Sequence, residues 1–383
     1  MPTRDPVIAT EAPARSRVTA IDGLRGVAII LVFLVHFSGA YAMSFRAINF
    51  DLVTEASRLG RGDALFYWAF YSHYGVQLFF VVSGFVISRS WADAQDLSRY
   101  PGFLLRRVAR IYPGFIVSLI LAVLLGAYLS GTLQVEARTL VANLLFLNGL
   151  FSLRIPAYNA VTWSLFFEFV FYILVPMFIV AGSRLGDRRL GAIALFLLSI
   201  VGLALGGYPE WFLLLPFLFG SAAGLLRAEE LGQAASRLSD GILVAAYGVT
   251  TTAGMAFVPL PASTSAGFLW TYRNWLFVLC FSVVATLILV RAGYGNGFLA
   301  RLCTARPMQA LGKVSFSFFL LHYLVISGLL STVKDRIGGS ITEAVLYGAL
   351  AFLASYLAAC VLYRVAEEPY FRLRRPPAGV ESR

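Results

Sequence analysis

Ten times in 383 residues the sequence returns to an apolar run of 17 to 25 residues, and no other feature narrows the fold so far. The runs lie near 23–44, 66–90, 112–130, 160–182, 190–207, 210–226, 241–258, 274–291, 314–332 and 343–363. About 20 apolar residues carry an α-helix across a bilayer core ~30 Å thick. The expected fold class is therefore all-α integral membrane, with about ten transmembrane helices. A further apolar stretch, 140–153, is only 14 residues long and reads as a re-entrant or interfacial segment.

Composition agrees. Hydrophobic residues make up 59% and charged residues 13% of the chain, and mean hydropathy is +0.76. A soluble domain carries about 25% charged residues. The net charge of +11 is not the footprint of a nucleic-acid binder here, because basic loops also orient membrane proteins. With the N-terminal tail and every second loop on the cytoplasmic side, 22 basic residues fall inside and 8 outside, leaving Arg25 within the first span. That bias places both termini in the cytoplasm.

The chain divides into an N-terminal tail (1–20), one transmembrane domain (21–370) and a basic C-terminal tail (371–383). The first tail has no apolar stretch of the kind a cleaved signal needs. Cys280, Cys303 and Cys360 have no spacing that suggests a disulfide framework or a metal cluster. No metal is expected.

Ionisable residues inside the apolar runs mark functional hypotheses, because charge is expensive there. Arg25 and His36 stand 11 residues apart in IDGLRGVAIILVFLVHF, almost three turns at ~3.6 residues per turn, so both project from one helix face. Arg25 either snorkels to headgroups or serves a site; His36 either bonds a neighbouring helix or does chemistry. Glu168 lies in AVTWSLFFEFVFYILVP, with Ser164 one turn earlier on the same face. A buried carboxylate and a buried imidazole in one chain suggest an acid–base pair. His36 lies ~20 Å from the inner end of its span and Glu168 ~12 Å from the outer face. In a core ~30 Å thick those depths agree, so the two are expected to meet.

Arg106, Arg107 and Arg110 cluster in RRVARIYPGF at the inner mouth of the third span, and Arg107 and Arg110 share a face. Guanidinium pairs suit phosphate; the plainer alternative is a positive-inside anchor. Pro113 suits the start of that helix. His322, in KVSFSFFLLHYLV, reads as a hydrogen-bonded structural histidine or a cavity-lining one. His73 lies near the outer end of the second span. Ser83 and Gly84 suit close helix packing. Asp22, Trp163 and Ser164 complete the residues that line a cavity or serve the structure. Glu367, Glu368 and Pro369 are expected to end the last helix.

Taken in order, IDGLRGVAIILVFLVH, HYGVQLFFVVSGFVIS, RRVARIYP, WSLFFEFVFYILVP, KVSFSFFLLH and AEEPYFRLRR resemble the acyltransferase family 3 membrane proteins across residues 21–375. The family O-acylates bacterial surface polysaccharides, other glycans and some small molecules. The resemblance implies that Arg25 and His36 are an essential first-helix pair. It implies that Arg107 and Arg110, with Arg106 beside them, serve the acyl-coenzyme A donor, and that Glu168 is the glutamate of a W-S-L-x-x-E segment. This chain has EFVFY where the family usually has a second adjacent carboxylate. The implied activity is transfer of an acyl group, acetyl by default, from acyl-CoA to a carbohydrate or glycolipid hydroxyl in the cell membrane. No cofactor is tightly bound in this reading, and nucleic acid is not a partner. A transporter or flippase of lipid-linked sugars is the rival class; it would more often show matching halves with broken helices.

The orientation is testable by cysteine labelling in a background with Cys280, Cys303 and Cys360 replaced. A membrane-impermeant reagent applied outside should reach position 58 and miss positions 99 and 380. Labelling at 99 but not at 58 would reverse the topology.

Overall fold

The computed structural model describes residues 11–45, 65–66, 69, 74–257 and 275–373. The expectation for His73 and the basic positions from Arg374 onward lie outside the described residues. Among the described residues the chain is helical, without strands. The helices are α1 (Glu11–Phe45), α2 (Gly75–Trp91), α3 (Tyr100–Ser130), α4 (Ala137–Leu144), α5 (Trp163–Gly182), α6 (Arg188–Leu205), α7 (Leu215–Gly224) and α8 (Ala228–Arg237). They continue as α9 (Asp240–Phe257), α10 (Trp275–Tyr294), α11 (Phe298–Thr304), α12 (Arg306–Lys313), α13 (Ser315–Val333), α14 (Ile341–Leu362) and α15 (Glu368–Leu373).

Among the described residues seven helices are long and apolar enough to cross a membrane, or eight if one bent pair is a single span. The bent pair is Glu210–Gly224 with Ala228–Arg237, which meet at 109°. The second expected run is helical over 17 residues, Gly75–Trp91. The seventh forms α9, which begins at Asp240 and carries three successive threonines, Thr250 to Thr252. The 140–153 stretch is too broken to cross: α4 gives way to short 3-10 turns, with Phe146 and Arg154 at positive φ.

Two helix ends differ from expectation. Pro113 lies inside α3, which starts thirteen residues earlier at Tyr100 with a proline in its first turn. Pro101 takes the position where a missing N–H costs nothing. The last helix does not stop at Glu367-Glu368-Pro369. It passes through a π turn, Tyr363–Glu367, and continues as α15. The Glu368 amide reaches back five residues to the Tyr363 carbonyl, so the wider turn carries the chain past a proline that cannot donate.

The chain forms two compact units. Met1–Ser38, Asn49–Gln95 and Phe167–Lys313 make the first; Gly39–Ile48, Asp96–Phe166 and Val314–Arg383 make the second. The first unit's core joins Leu24 and Ala28 of α1 to Leu78, Val82 and Phe85 of α2 and to Phe281, Ala285 and Leu289 of α10. A close seam runs between α2 and α7. A Cβ at Gly220 would lie 2.1 Å from the Val81 carbonyl oxygen, one at Gly224 2.5 Å from that of Phe85, and one at Gly84 2.4 Å from that of Phe217. Without a hydrophobic drive between helices in lipid, such small residues let backbones touch and gain dispersion contact.

In the second unit α3 packs on α13, with Gly114 against Leu320, Phe316 and Ala366. The segment between α3 and α5 is tied down by buried asparagines. Asn143 donates to the carbonyls of Thr139 (2.9 Å) and Pro156 (2.8 Å), and Asn159 donates to that of Leu320 (2.8 Å). α14 starts on a reciprocal cap between Ser340 and Glu343.

Gly220→Ala should lower the thermal unfolding midpoint in detergent, since overpacking of this kind costs ~1–3 kcal/mol. Gly126→Ala meets nothing within 4 Å and should stabilise α3 by ~0.5–1 kcal/mol. Equal midpoints for the two variants would contradict the seam.

Candidate functional site

Arg25, His36 and Glu168 of the first unit lie inside apolar helices, and each is held by a different device. Arg25 rides on a stretch of α1 clamped by α11 and α12. A Cβ at Gly23 would lie 1.6 Å from the Cys303 carbonyl oxygen and one at Gly26 2.3 Å from that of Met308. In return, a Cβ at Gly312 would lie 1.9 Å from the Asp22 carbonyl oxygen. The Gln309 side-chain amide donates to the Thr19 carbonyl and, at 2.5 Å, to that of Cys303. The Arg25 backbone therefore has one position. Its guanidinium stands 3.4 Å from Asp22, one turn earlier, a long and partly exposed contact of small energy.

His36 is held by its own helix. Its Nδ1 lies 2.8 Å from the Val32 carbonyl oxygen. A carbonyl can only accept, so Nδ1 carries the proton. In the neutral ring Nε2 is then the basic nitrogen. Phe33 and Phe37 stack beside this turn at 5.8 Å.

Glu168 is held by two hydroxyls. Tyr172, one turn later on α5, donates to its carboxylate, and Ser83 of α2 donates from 3.5 Å. The neighbour of Ser83, Gly84, is locked into the seam with α7. Successive helical residues point about 100° apart at ~3.6 residues per turn, which frees Ser83 to turn towards α5. Ser83 therefore does more than allow close packing. Among the described residues the hydrogen bonds of Glu168 run to Ser83 and Tyr172 and not to His36. Tyr172 of the same helix and Ser83 of α2 are the partners that hold the carboxylate.

In the second unit, the arginine cluster separates into two roles. Arg107 lies 5.1 Å from the ring centre of Phe103, and Arg110 lies 5.6 Å from that of Phe371. These are cation–π contacts, and they hold two guanidinium planes on adjacent turns of one face. Arg106, one turn before Arg110, is exposed. Ser164 gives its hydroxyl to the Val161 carbonyl at 3.4 Å, and Trp163 packs on Phe151 at 5.6 Å. His322 is fully buried. Its Nδ1 donates to the Phe319 carbonyl at 2.8 Å, with that of Phe318 at 3.2 Å.

Sequence reasoning passed over three residues. Tyr172 sits four residues after Glu168, so its proximity was legible. Gln309 was not, because its partners are backbone carbonyls of distant segments. Glu367 is 2% exposed and accepts from Ser317; the π turn that buries it has no sequence signature. Among the described residues no group of His, Cys, Asp and Glu could hold a metal ion.

A model of the acyltransferase domain matches residues 18–364. The chain belongs to the acyltransferase 3 family. Its relatives in that family include acyltransferase MdmB of Streptomyces mycarofaciens, 26% identical over 405 residues that cover 96% of this chain and 95% of that protein. Peptidoglycan O-acetyltransferase OatA of Listeria monocytogenes is 22% identical over 389 residues, covering 93% of this chain and 56% of that protein. The chain thus spans little more than half the length of OatA. No solved structure matches it. With the apolar helices above, the match makes this acyltransferase 3 chain a multi-pass membrane acyltransferase.

Ser83 and Tyr172 share one acceptor, so their removal should not be additive. Ser83→Ala and Tyr172→Phe each leave Glu168 one donor; the double variant leaves none. Thermal unfolding of the four proteins should give a coupling of ~0.5–3 kcal/mol. Additive losses would show that Glu168 has other support.

Proposed function

We propose that this acyltransferase moves an acyl group, acetyl by default, from cytoplasmic acyl-CoA to a hydroxyl of a carbohydrate acceptor such as a cell-surface polysaccharide or glycolipid. Both termini face the cytoplasm in this reading, and the membrane is the cell membrane. The observation that carries it is the family match across residues 18–364. An intramembrane histidine whose Nδ1 is anchored on its own backbone supports it further, because that anchor fixes Nε2 as the base. The name of OatA, a peptidoglycan O-acetyltransferase, supports the choice of a carbohydrate hydroxyl.

In the proposed reaction, His36 Nε2 takes the proton of the acceptor hydroxyl as its oxygen attacks the thioester carbonyl. The new C–O bond forms, the C–S bond breaks, and the proton passes from the imidazolium to the departing coenzyme A thiolate. Glu168 supplies negative charge that favours the imidazolium without a direct bond to it, and Ser83 and Tyr172 hold the carboxylate in place. Arg107 and Arg110 take donor phosphates through paired guanidinium donors. Arg25 adds positive charge near the cytoplasmic end of the first span. The co-substrate leaves with each turnover, so no bound cofactor is required.

Radiolabel from acyl-CoA should appear on carbohydrate when membranes holding the chain are incubated with both. Sugar movement across vesicles without label transfer would favour a transporter. Arg107→Ala and Arg110→Ala should each raise the KM for acyl-CoA by about tenfold, the worth of one charge-assisted hydrogen bond, with a smaller fall in kcat. An unchanged KM in folded variants would return both arginines to membrane anchoring.

A further inference from the structure

The first unit holds a second feature that the proposed reaction leaves unused. A cavity of about 720 Å³ opens where α2, α5 and α7 end and α6 and α8 begin. That volume falls in the ~300–1,000 Å³ range of small-molecule sites. Four arginines line it: Arg89, Arg188, Arg189 and Arg227.

The arginines are not equivalent. Arg89 is half-buried and donates to the Leu226 carbonyl. Arg188 is half-buried and donates to the Ala92 carbonyl at 2.5 Å. Both partners are neutral, so each guanidinium is fixed in the wall with its charge intact and its remaining N–H donors unspent. Arg189 is different: it pairs with Glu230 at 3.1 Å. The Arg227 amide and the Arg189 guanidinium hold the Glu230 carboxyl below its ordinary range, so that pair stays ionised at neutral pH and contributes no net charge. Arg227 is exposed at the start of α8.

Three carboxylates also line the cavity. Asp187 is committed to capping α6, accepting from the amides of Arg189 (2.8 Å) and Leu190 (3.2 Å). Asp93 and Glu229 are exposed. The wall thus offers two arginines bonded to neutral carbonyls, Arg89 and Arg188, an exposed Arg227 whose charge also acts on Glu230, and two solvent-facing acceptors.

We propose that this cavity is a binding site for a phosphate ester. Guanidinium groups match phosphate oxygens with paired, charge-assisted donors. Two that are already fixed on backbone carbonyls lose little freedom on binding. Asp93 and Glu229 suit the hydroxyl or amino donors that accompany phosphate in a nucleotide or a phospholipid headgroup. The site uses none of the residues assigned to the acyl donor, and it stands whether or not that assignment holds.

The test uses the full chain purified in a maltoside detergent, which contains no phosphate. Binding of adenosine 3′,5′-bisphosphate and of dioctanoyl phosphatidylglycerol is measured by thermophoresis for wild type, Arg227→Glu and Arg188→Gln. At least one probe should bind, and Arg227→Glu should weaken that binding tenfold or more. Arg188→Gln should do the same if thermal unfolding shows it folded. Binding of the bisphosphate identifies a soluble nucleotide; binding of the lipid alone identifies a headgroup. Failure of both probes to bind wild type, or affinity within twofold of wild type in Arg227→Glu, would overturn the proposal.

Discussion

The cost of placing an ionisable group in hydrocarbon governs this structure. Arg25, His36 and Glu168 each have a short-range partner, and close backbone contacts position Arg25 and Ser83. Ser83 reaches Glu168 because Gly84 is locked against α7. Arg25 sits where it does because glycines on either side of it touch α11 and α12. Apolar surface cannot drive helices together in lipid, so dispersion between touching backbones carries that burden. The same contacts that hold the helices together therefore hold the charged groups in register. A site built on such helices is rigid before any substrate arrives, which is the condition for electrostatic preorganisation.

His36 shows how local the control is. One carbonyl, a turn earlier on the same helix, decides which ring nitrogen is basic. His322 uses the same device in the second unit, where Asn159 ties the adjacent Leu320 carbonyl to the segment before α5. Two histidines with the same tautomer thus have unlike surroundings. His36 is half-buried, whereas His322 is wholly enclosed.

Much of this was legible from residue order. Apolar runs announce helices because lipid leaves the backbone little choice, and each expected run is helical where it is described. The spacing of Arg107 and Arg110 announces a shared face, and each guanidinium lies over an aromatic ring, Phe103 and Phe371. What the sequence hides are long-range choices among local rules. A proline can open a helix, as Pro101 does, or sit within one, as Pro113 does. The Ser83 hydroxyl on Glu168 likewise comes from a neighbour distant in sequence.

The central claim is that His36 accepts the proton of the acceptor hydroxyl during acyl transfer. Its most direct test is turnover by purified His36→Ala protein whose thermal unfolding matches wild type, assayed with labelled acetyl-CoA and a carbohydrate acceptor. General-base catalysis contributes ~10²–10⁴-fold, so transfer should fall to at most about a hundredth of wild type. Turnover within a few-fold of wild type would contradict the claim and leave the imidazole a structural group.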